Sequence, residues 1–358
     1  MRSQPTKKVF VGMSGGVDSS VSAALLKERG FDVTGVFIKV WQPEWLEATG
    51  GCTWREDRLD AMRVCVKLGI PFQTLDLEKE YKKEVVDYMI AEYKAGKTPN
   101  PDIMCNRHVK FGGFFDWAMN QGADFVATGH YVRVESNRLL AGRDTGKDQS
   151  YFLWTLTERE LSKTLFPVGD IEKSEVRRLA ARFDLPVASK KDSQGLCFIG
   201  KVDIKEFLSH YIEPKKGRVL DESGAQIGEH DGAIFLTLGE RHGFRIVAKR
   251  PDDKPYYVVA RDIAKNEVVV SHESLDNAPS ADGSTCAVSS TNWISGSPEQ
   301  GKQYFARIRH LGALMPCTVE IHSGDKAMLA FEKPLVVAAG QSVVVYDGGV
   351  CMGGGIAD

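Results

Sequence analysis

The sequence predicts an α/β protein: a doubly wound parallel-sheet domain, then a small β-rich central domain and a C-terminal β-barrel. Three observations carry this prediction. VFVGMSGGVDSS, Val9–Ser20, joins a short apolar run to a glycine turn and a segment with helical apolar spacing. Strand-like and helical segments then alternate as far as Pro186. From about Lys201 the chain changes to short strand-like runs separated by Gly, Asp, Asn and Pro. The expected domains are residues 1–203, 204–275 and 276–358.

Taken in order, Val9–Met13 reads as a buried strand and Val17–Arg29 as a helix ended by Gly30. Strand, glycine turn and helix direct backbone N–H groups and a helix N-terminus at an anion, and Ser14, Ser19 and Ser20 add hydroxyls. A Walker-type loop is excluded, since Val17 and Asp18 follow Gly16 where lysine and Ser/Thr would stand. The G-x-G-x-x-G dinucleotide pattern is absent as well.

Val33–Val40 and Ile70–Leu77 read as further strands, and Arg55–Leu68 and Glu78–Ala95 as helices, with Cys65 in the core. Trp41–Trp54, which holds Cys52, reads as an irregular flap. Pro99 and Pro101 predict an extended or turn segment over Thr98–Asp102, with a helix starting near Ile103. That start, with Arg107, His108 and Lys110, would favour a reactive Cys105 thiolate. Asp124–Thr128 is a strand with Gly129, His130 and Tyr131 at its carboxyl end, the ligand edge of such sheets. Lys147–Trp154 places polar residues before an aromatic run, and Ser174–Phe183 is an amphipathic helix. Cys197 lies between Gly195 and Gly200 beside Lys190 and Lys191, a basic loop. Two isolated loop cysteines suit a sulfur relay better than a metal site.

Ile204–Tyr211 reads as a short helix before a hairpin-like stretch. Strand-like runs follow at Tyr256–Val259, Glu267–Val270, Cys286–Ser289, Tyr304–Ile308, Thr318–Ile321, Ala327–Phe331, Leu335–Ala338 and Ser342–Tyr346. The last five suit a small barrel. Arg241, Arg245, Lys249 and Arg250, then Arg307, Arg309 and His310, give local positive charge suited to an RNA backbone.

Composition sets the bounds. The chain has 358 residues, of which 26% are charged and 42% hydrophobic, with a net charge of −2, so any RNA-binding face must be local. No apolar run approaches the roughly 20 residues of a membrane helix, and MRSQPTKK has no signal-peptide core. Seven scattered cysteines form no C-x-x-C pair, which argues against a zinc ribbon or a disulfide framework. A cytoplasmic protein with reduced thiols is expected.

SGGVDS resembles the pyrophosphate loop of the PP-loop ATP-pyrophosphatase superfamily. Together with TPNPDIMCN, ATGHY, KDQSYFL, DSQGLCFIG, GEHDG and GQSVVVYDGGVCMGGG, in this order, it resembles the bacterial tRNA-specific 2-thiouridylase family along essentially the whole chain. The resemblance implies ATP-dependent replacement of the carbon-2 oxygen of a tRNA wobble uridine by sulfur. It implies ATP binding by Gly12, Met13, Ser14, Gly15, Gly16, Val17, Asp18, Ser19, Ile38 and Gly129, with magnesium accompanying ATP. Ile38 stands where family members often carry methionine. Cys197 would carry the persulfide, Cys105 would be the nucleophile and Asp102 the acid/base. Asn100, Pro101 and Asp102 would meet the target base, and His130, Lys147, Asp148, Gln149, Arg309, His310 and Gln341 the tRNA. A sulfur donor, either a cysteine desulfurase or a sulfur-carrier protein, is the implied protein partner, and a monomer is expected. The rival reading is a PP-loop amide synthetase that adenylates a small molecule and adds ammonia, which needs neither cysteine.

Overall fold

The computed structural model describes residues 6–48, 54–192, 203–247, 254–273, 284–322 and 324–358. Cys52, Cys197, Lys249 and Arg250 lie outside these residues. The first strands are β1 (Lys8–Gly12), β2 (Asp32–Lys39), β3 (Phe72–Asp76) and β4 (Phe125–Ala127). A hairpin of β5 (Val132–Glu135) and β6 (Arg138–Ala141) follows, and then β7 (Thr164–Leu165).

β1, β2, β3, β4 and β7 form one parallel sheet in the order β3-β2-β1-β4-β7. The order reverses between β1 and β4, so the crevice at their carboxyl ends is the ligand-binding switch point of this topology. Both faces of the sheet are covered. Phe10 joins one core with Tyr81, Val85 and Phe114, while Val9 and Val11 join the other with Val21, Leu25 and Val64. Burial on both sides explains why β1 reads as a continuous apolar run.

The strand and helix expectations for this domain hold to within a few residues. Two differ. Glu44–Ala48 is helical rather than irregular, because Leu46 is drawn into the core and the Trp45 ring stacks on His210 at 3.9 Å. The helix predicted near Ile103 starts at Pro101 instead. Proline is tolerated at a first helical position, where its missing N–H has no helical partner to lose.

The central sheet contains β8 (Gly217–Leu220), β9 (Gln226–His230), β10 (Phe244–Ile246), β11 (Tyr257–Asp262) and β12 (Glu267–Ser271), in the order β10-β9-β8-β12-β11. The helix Ile204–Ser209 ahead of it puts fully buried Phe207 and Leu208 into the core of the first domain.

The barrel strands are β13 (Thr285–Trp293), β14 (Gln303–Arg307), β15 (Met315–Ile321), β16 (Ala327–Phe331), β17 (Ser342–Asp347) and β18 (Val350–Ala357). They run β13-β16-β15-β14-β17-β18, and β18 returns to pair with β13, closing the barrel. Leu335–Ala338, expected as a strand, is irregular. The turn that follows it instead bonds outward, Ala339 accepting a hydrogen bond from Thr98 N–H at 2.8 Å. The β5–β6 hairpin pairs with β18 through Leu139 and Leu140, so the first domain adds two strands to the barrel sheet.

Candidate active site

The glycine loop follows β1 into the crevice. Met13 N–H donates to Val36 O at 2.7 Å, which fixes where the loop begins. Ser14 N–H and Gly16 N–H donate to Ser19 Oγ and Ser14 Oγ at 3.2 and 3.3 Å, while the Ser19 and Ser20 hydroxyls donate to Gly16 O. Gly16 caps the helix Val17–Glu28 without a side-chain hydrogen bond, leaving the first-turn N–H groups to an anion.

Two glycines are dictated by close approach. Gly15 has φ +74°, and a Cβ there would lie 2.3 Å from Asp57 O. A Cβ on Gly129 would lie 2.7 Å from Ser19 N and 2.8 Å from Asp18 C. Gly129 therefore lets the loop's own helix pack against the end of β4, a requirement that precedes any contact with nucleotide.

Four charged residues outside the loop brace it. Lys190 Nζ donates to Gly15 O at 3.1 Å and to Asp57 and Asp60 at 2.8 and 2.7 Å. Asp18 accepts from Tyr131 Oη at 2.7 Å and from Lys173 Nζ at 2.7 and 2.9 Å. None of Tyr131, Lys173 and Lys190 declares this role by spacing, because each comes from a different later segment. Beside the loop, Ser14, Phe37, Ile38, Val40, Gln42, Trp54 and Asp57 line a small cleft that opens to solvent. Ser14 and Ile38 thus share one wall. Ile38 is 4% exposed, so what it offers a nucleotide is mainly backbone.

The second part of the site is a strap and a helix. Asn100 Oδ1 accepts from Asp102 N–H and Ile103 N–H at 3.1 and 3.2 Å, capping the helix that carries Asp102 and Cys105. Asp102 is partly exposed, whereas Cys105 is 0% exposed. Further along the same helical run, buried Phe114 packs against Gly12 at the end of β1, and Lys110 Nζ reaches His130 Nε2 at 3.4 Å, beside Gly129. Asn106 Nδ2 donates to Phe152 O at 3.1 Å.

The residues that the resemblance ties to tRNA are mostly engaged within the protein. His130 is buried, with Nδ1 2.7 Å from Thr128 Oγ1 and Nε2 3.4 Å from Lys110 Nζ. Burial, helped by the Lys110 charge, holds its imidazole well below the ordinary value. Asp148 is 1% exposed and accepts from Gly142 N–H, Ser150 N–H, Ser150 Oγ and Arg307 Nη1. Gln149 Oε1 accepts from Tyr131 N–H at 2.9 Å, and Lys147 pairs with Asp192 at 3.0 Å. The His310 ring packs on Phe152 at 4.3 Å, while Arg309 is exposed. Gln341 Nε2 donates to Thr98 O at 2.8 Å. The expected contact set therefore falls into two groups. His130, Asp148, Gln149 and Gln341 have side chains that hold the fold together here, and Pro101 is buried, while Arg309 is exposed and Lys147 is half-exposed against Asp192.

Reverse strand order at a glycine loop, with the loop's helix seated on Gly129, defines a nucleotide-binding α/β protein of the PP-loop class. Comparison narrows the class. Three family models match in succession: "tRNA methyl transferase HUP domain" over residues 7–201, "tRNA methyl transferase PRC-barrel domain" over 205–272 and "Aminomethyltransferase beta-barrel domain" over 283–357. The tRNA-specific 2-thiouridylase MnmA of Enterococcus faecalis is 43% identical over 98% of this chain and 95% of its own length. The protein of the same name from Streptococcus thermophilus is 44% identical with the same coverage. Among solved structures, a 4-thiouridine synthetase–RNA complex with bound ATP aligns over 57% of this chain and 50% of that one, at 20% identity and a TM-score of 0.34. The chain belongs to the tRNA-specific 2-thiouridylase family.

Proposed function

We propose that this protein 2-thiolates the wobble uridine of tRNA by adenylation followed by sulfur transfer. The observation that carries the reading is that the helical run bearing Cys105 reaches His130 through Lys110 at 3.4 Å, next to Gly129 on which the glycine loop's helix is seated. The glycine loop and the thiol helix thus both abut the segment that follows β4. The matched models are described as methyl transferases and the relatives as thiouridylases. A phosphate loop beside a cysteine helix supports sulfur chemistry over methyl transfer.

ATP suits the loop as substrate: the uncapped N–H groups at the start of the helix Val17–Glu28 and the glycine turn are placed to receive phosphates. The uracil carbon-2 oxygen attacks the α-phosphorus, the bond to the β-phosphate breaks and pyrophosphate leaves. The terminal sulfur of a Cys197 persulfide then attacks carbon 2 and AMP departs. Cys105 attacks the Cys197 sulfur and breaks the S–S bond, releasing 2-thiouridine and leaving a Cys105–Cys197 disulfide that an external thiol must reduce. The alternative order, in which Cys105 first frees hydrosulfide from the persulfide, uses the same pair. Because Cys105 is fully buried, either order requires its covering to move once tRNA engages. Magnesium would accompany the phosphates, held mainly by them and by water.

The test is incubation of the protein with ATP, a cysteine desulfurase, cysteine and unmodified tRNA, followed by nucleoside mass spectrometry. 2-Thiouridine from the wild type and none from Cys197→Ser or Cys105→Ser is expected. No product from the wild type, or full yield from either serine variant, would overturn the mechanism. Ammonia-dependent turnover that survives both substitutions would favour the amide-synthetase reading.

A further inference from the structure

The glycine loop has no cation of its own, since no Lys, Arg or His occurs between Gly12 and Ala24. A polyphosphate leaving group calls for fixed positive charge where its own charge develops. Lys173, the first residue of the helix Lys173–Arg182, is brought to the loop from 155 residues beyond Asp18. Its Nζ reaches Asp18 Oδ1 and Oδ2 at 2.7 and 2.9 Å and Asp192 Oδ1 at 2.9 Å. Its side chain is 14% exposed and lies over the Tyr131 ring, and its backbone N–H is fixed by Asp144 Oδ2 at 3.0 Å.

Asp192 is the unusual partner. Lys173, Lys147 and Arg177 converge on this one carboxylate, at 2.9, 3.0 and 2.5 Å. Three cations around one carboxylate have the geometry of an anion site with a protein carboxylate seated in it. Arg177 is tied elsewhere, donating to Ala188 O and Lys190 O, and Lys147 is half-exposed. Lys173 is the cation that Asp18 pins beside the loop.

We propose that Lys173 is the phosphate-binding cation of the glycine loop, taking the β- and γ-phosphates of ATP in exchange for Asp192. This rests on the adenylation reading. When the bond between the α-phosphorus and the β-phosphate oxygen breaks, the electron pair leaves with pyrophosphate, and Lys173 faces the charge it carries. The exchange strands no carboxylate, because Asp192 keeps Lys147 and Arg177 while Lys173 keeps Asp18.

The test is calorimetric titration of the full chain with inorganic pyrophosphate and, separately, with AMP. Lys173→Met should weaken pyrophosphate binding about tenfold or more, the scale of one charge-assisted contact, and leave AMP within about twofold. Lys173→Arg should recover part of the loss. Asp192→Asn, which removes the competing anion, should tighten pyrophosphate, an effect that structural damage would not produce. Wild-type pyrophosphate affinity in Lys173→Met, parallel loss of AMP, or unchanged or weaker pyrophosphate binding in Asp192→Asn would each overturn the proposal. Loss of tRNA affinity with pyrophosphate binding intact would assign the lysine to RNA phosphates instead and overturn it as well. If Lys173→Met does not fold, Asp192→Asn decides alone. None of these titrations uses turnover, so a protein that made no 2-thiouridine but kept this pattern would lose the functional reading and retain the site.

Discussion

Gln341 donates its Nε2 hydrogen to the carbonyl oxygen of Thr98 at 2.8 Å, joining the C-terminal barrel to the strap just before the Asp102–Cys105 helix. Thr98 N–H donates to Ala339 O from the same turn, and Arg261 of the central sheet donates to Gly96 O at 2.6 Å. Both accessory domains therefore grip one short stretch of backbone, a few residues ahead of the thiol. Gln341→Ala should cost roughly 0.5–1.5 kcal/mol, the net value of one hydrogen bond. It should also raise amide exchange in residues 96–100, measured by hydrogen–deuterium exchange, without altering exchange in the parallel sheet. Unchanged protection of the strap would show that Gln341 does not hold it.

The loop's seat on Gly129 predicts a sharper loss. In Gly129→Ala the new methyl would meet Ser19 N and Asp18 C at 2.7 and 2.8 Å, and both are backbone atoms at the start of a helix that cannot turn aside. Overpacking of this kind costs about 1–3 kcal/mol. Urea denaturation should show that loss, and ATP titration should show weaker binding, because the displaced helix start is the phosphate end. Wild-type ATP affinity at reduced stability would separate the seat from the site.

At the junction with the barrel, Asp148 and Arg307 form a 2.7 Å pair, with side chains 2% and 14% exposed. Arg307→Met leaves the carboxylate buried without its cation and should cost about 3 kcal/mol or more. Asp148→Asn/Arg307→Met should recover more than about 1 kcal/mol of that, since no charge is then stranded. A double-mutant cycle by urea denaturation measures both. Equal stability of the single Arg307 variant and the double variant would show that the loss comes from packing rather than from the charge.

The parallel sheet and the glycine loop were legible because their signals are local: apolar runs, a glycine turn and a helical period within Val9–Arg29. What escaped was set by partners distant in sequence. β18 holds Gly353, Gly354 and Gly355, which depress strand propensity, yet a Cβ at Gly353 would lie 1.9 Å from Asn292 O and one at Gly354 2.3 Å from Val343 O. The glycines are there because neighbouring strands press close. The β5–β6 hairpin has only four residues per strand, and its outer partner is β18, more than 200 residues later in the chain. At the candidate site the resemblance named the loop and Cys105. It could not show that Asp148 and Gln149 face inward, or that Lys173 and Lys190 reach the loop, since no spacing rule joins them to it.

Asp192 carries the pH prediction. Burial alone would raise its carboxyl, but hydrogen bonds from Lys173 and Lys147, and their charges, outweigh burial and bring it from 3.8 to about 2. A carboxyl lowered in the folded state adds stability that is fully present above pH 3.8 and is lost as pH falls through about 2. The gap corresponds to roughly 2 kcal/mol, and about 1 kcal/mol after allowing for solvent screening of this partly exposed group. Asp192→Asn should therefore be less stable than the wild type by about 1 kcal/mol at neutral pH. Urea denaturation at successive pH values should show the difference shrinking below pH 4 and disappearing only as pH falls below about 2. A difference that persisted unchanged into acid would mean the asparagine disturbs packing, and that the three cations contribute nothing through the charge of Asp192.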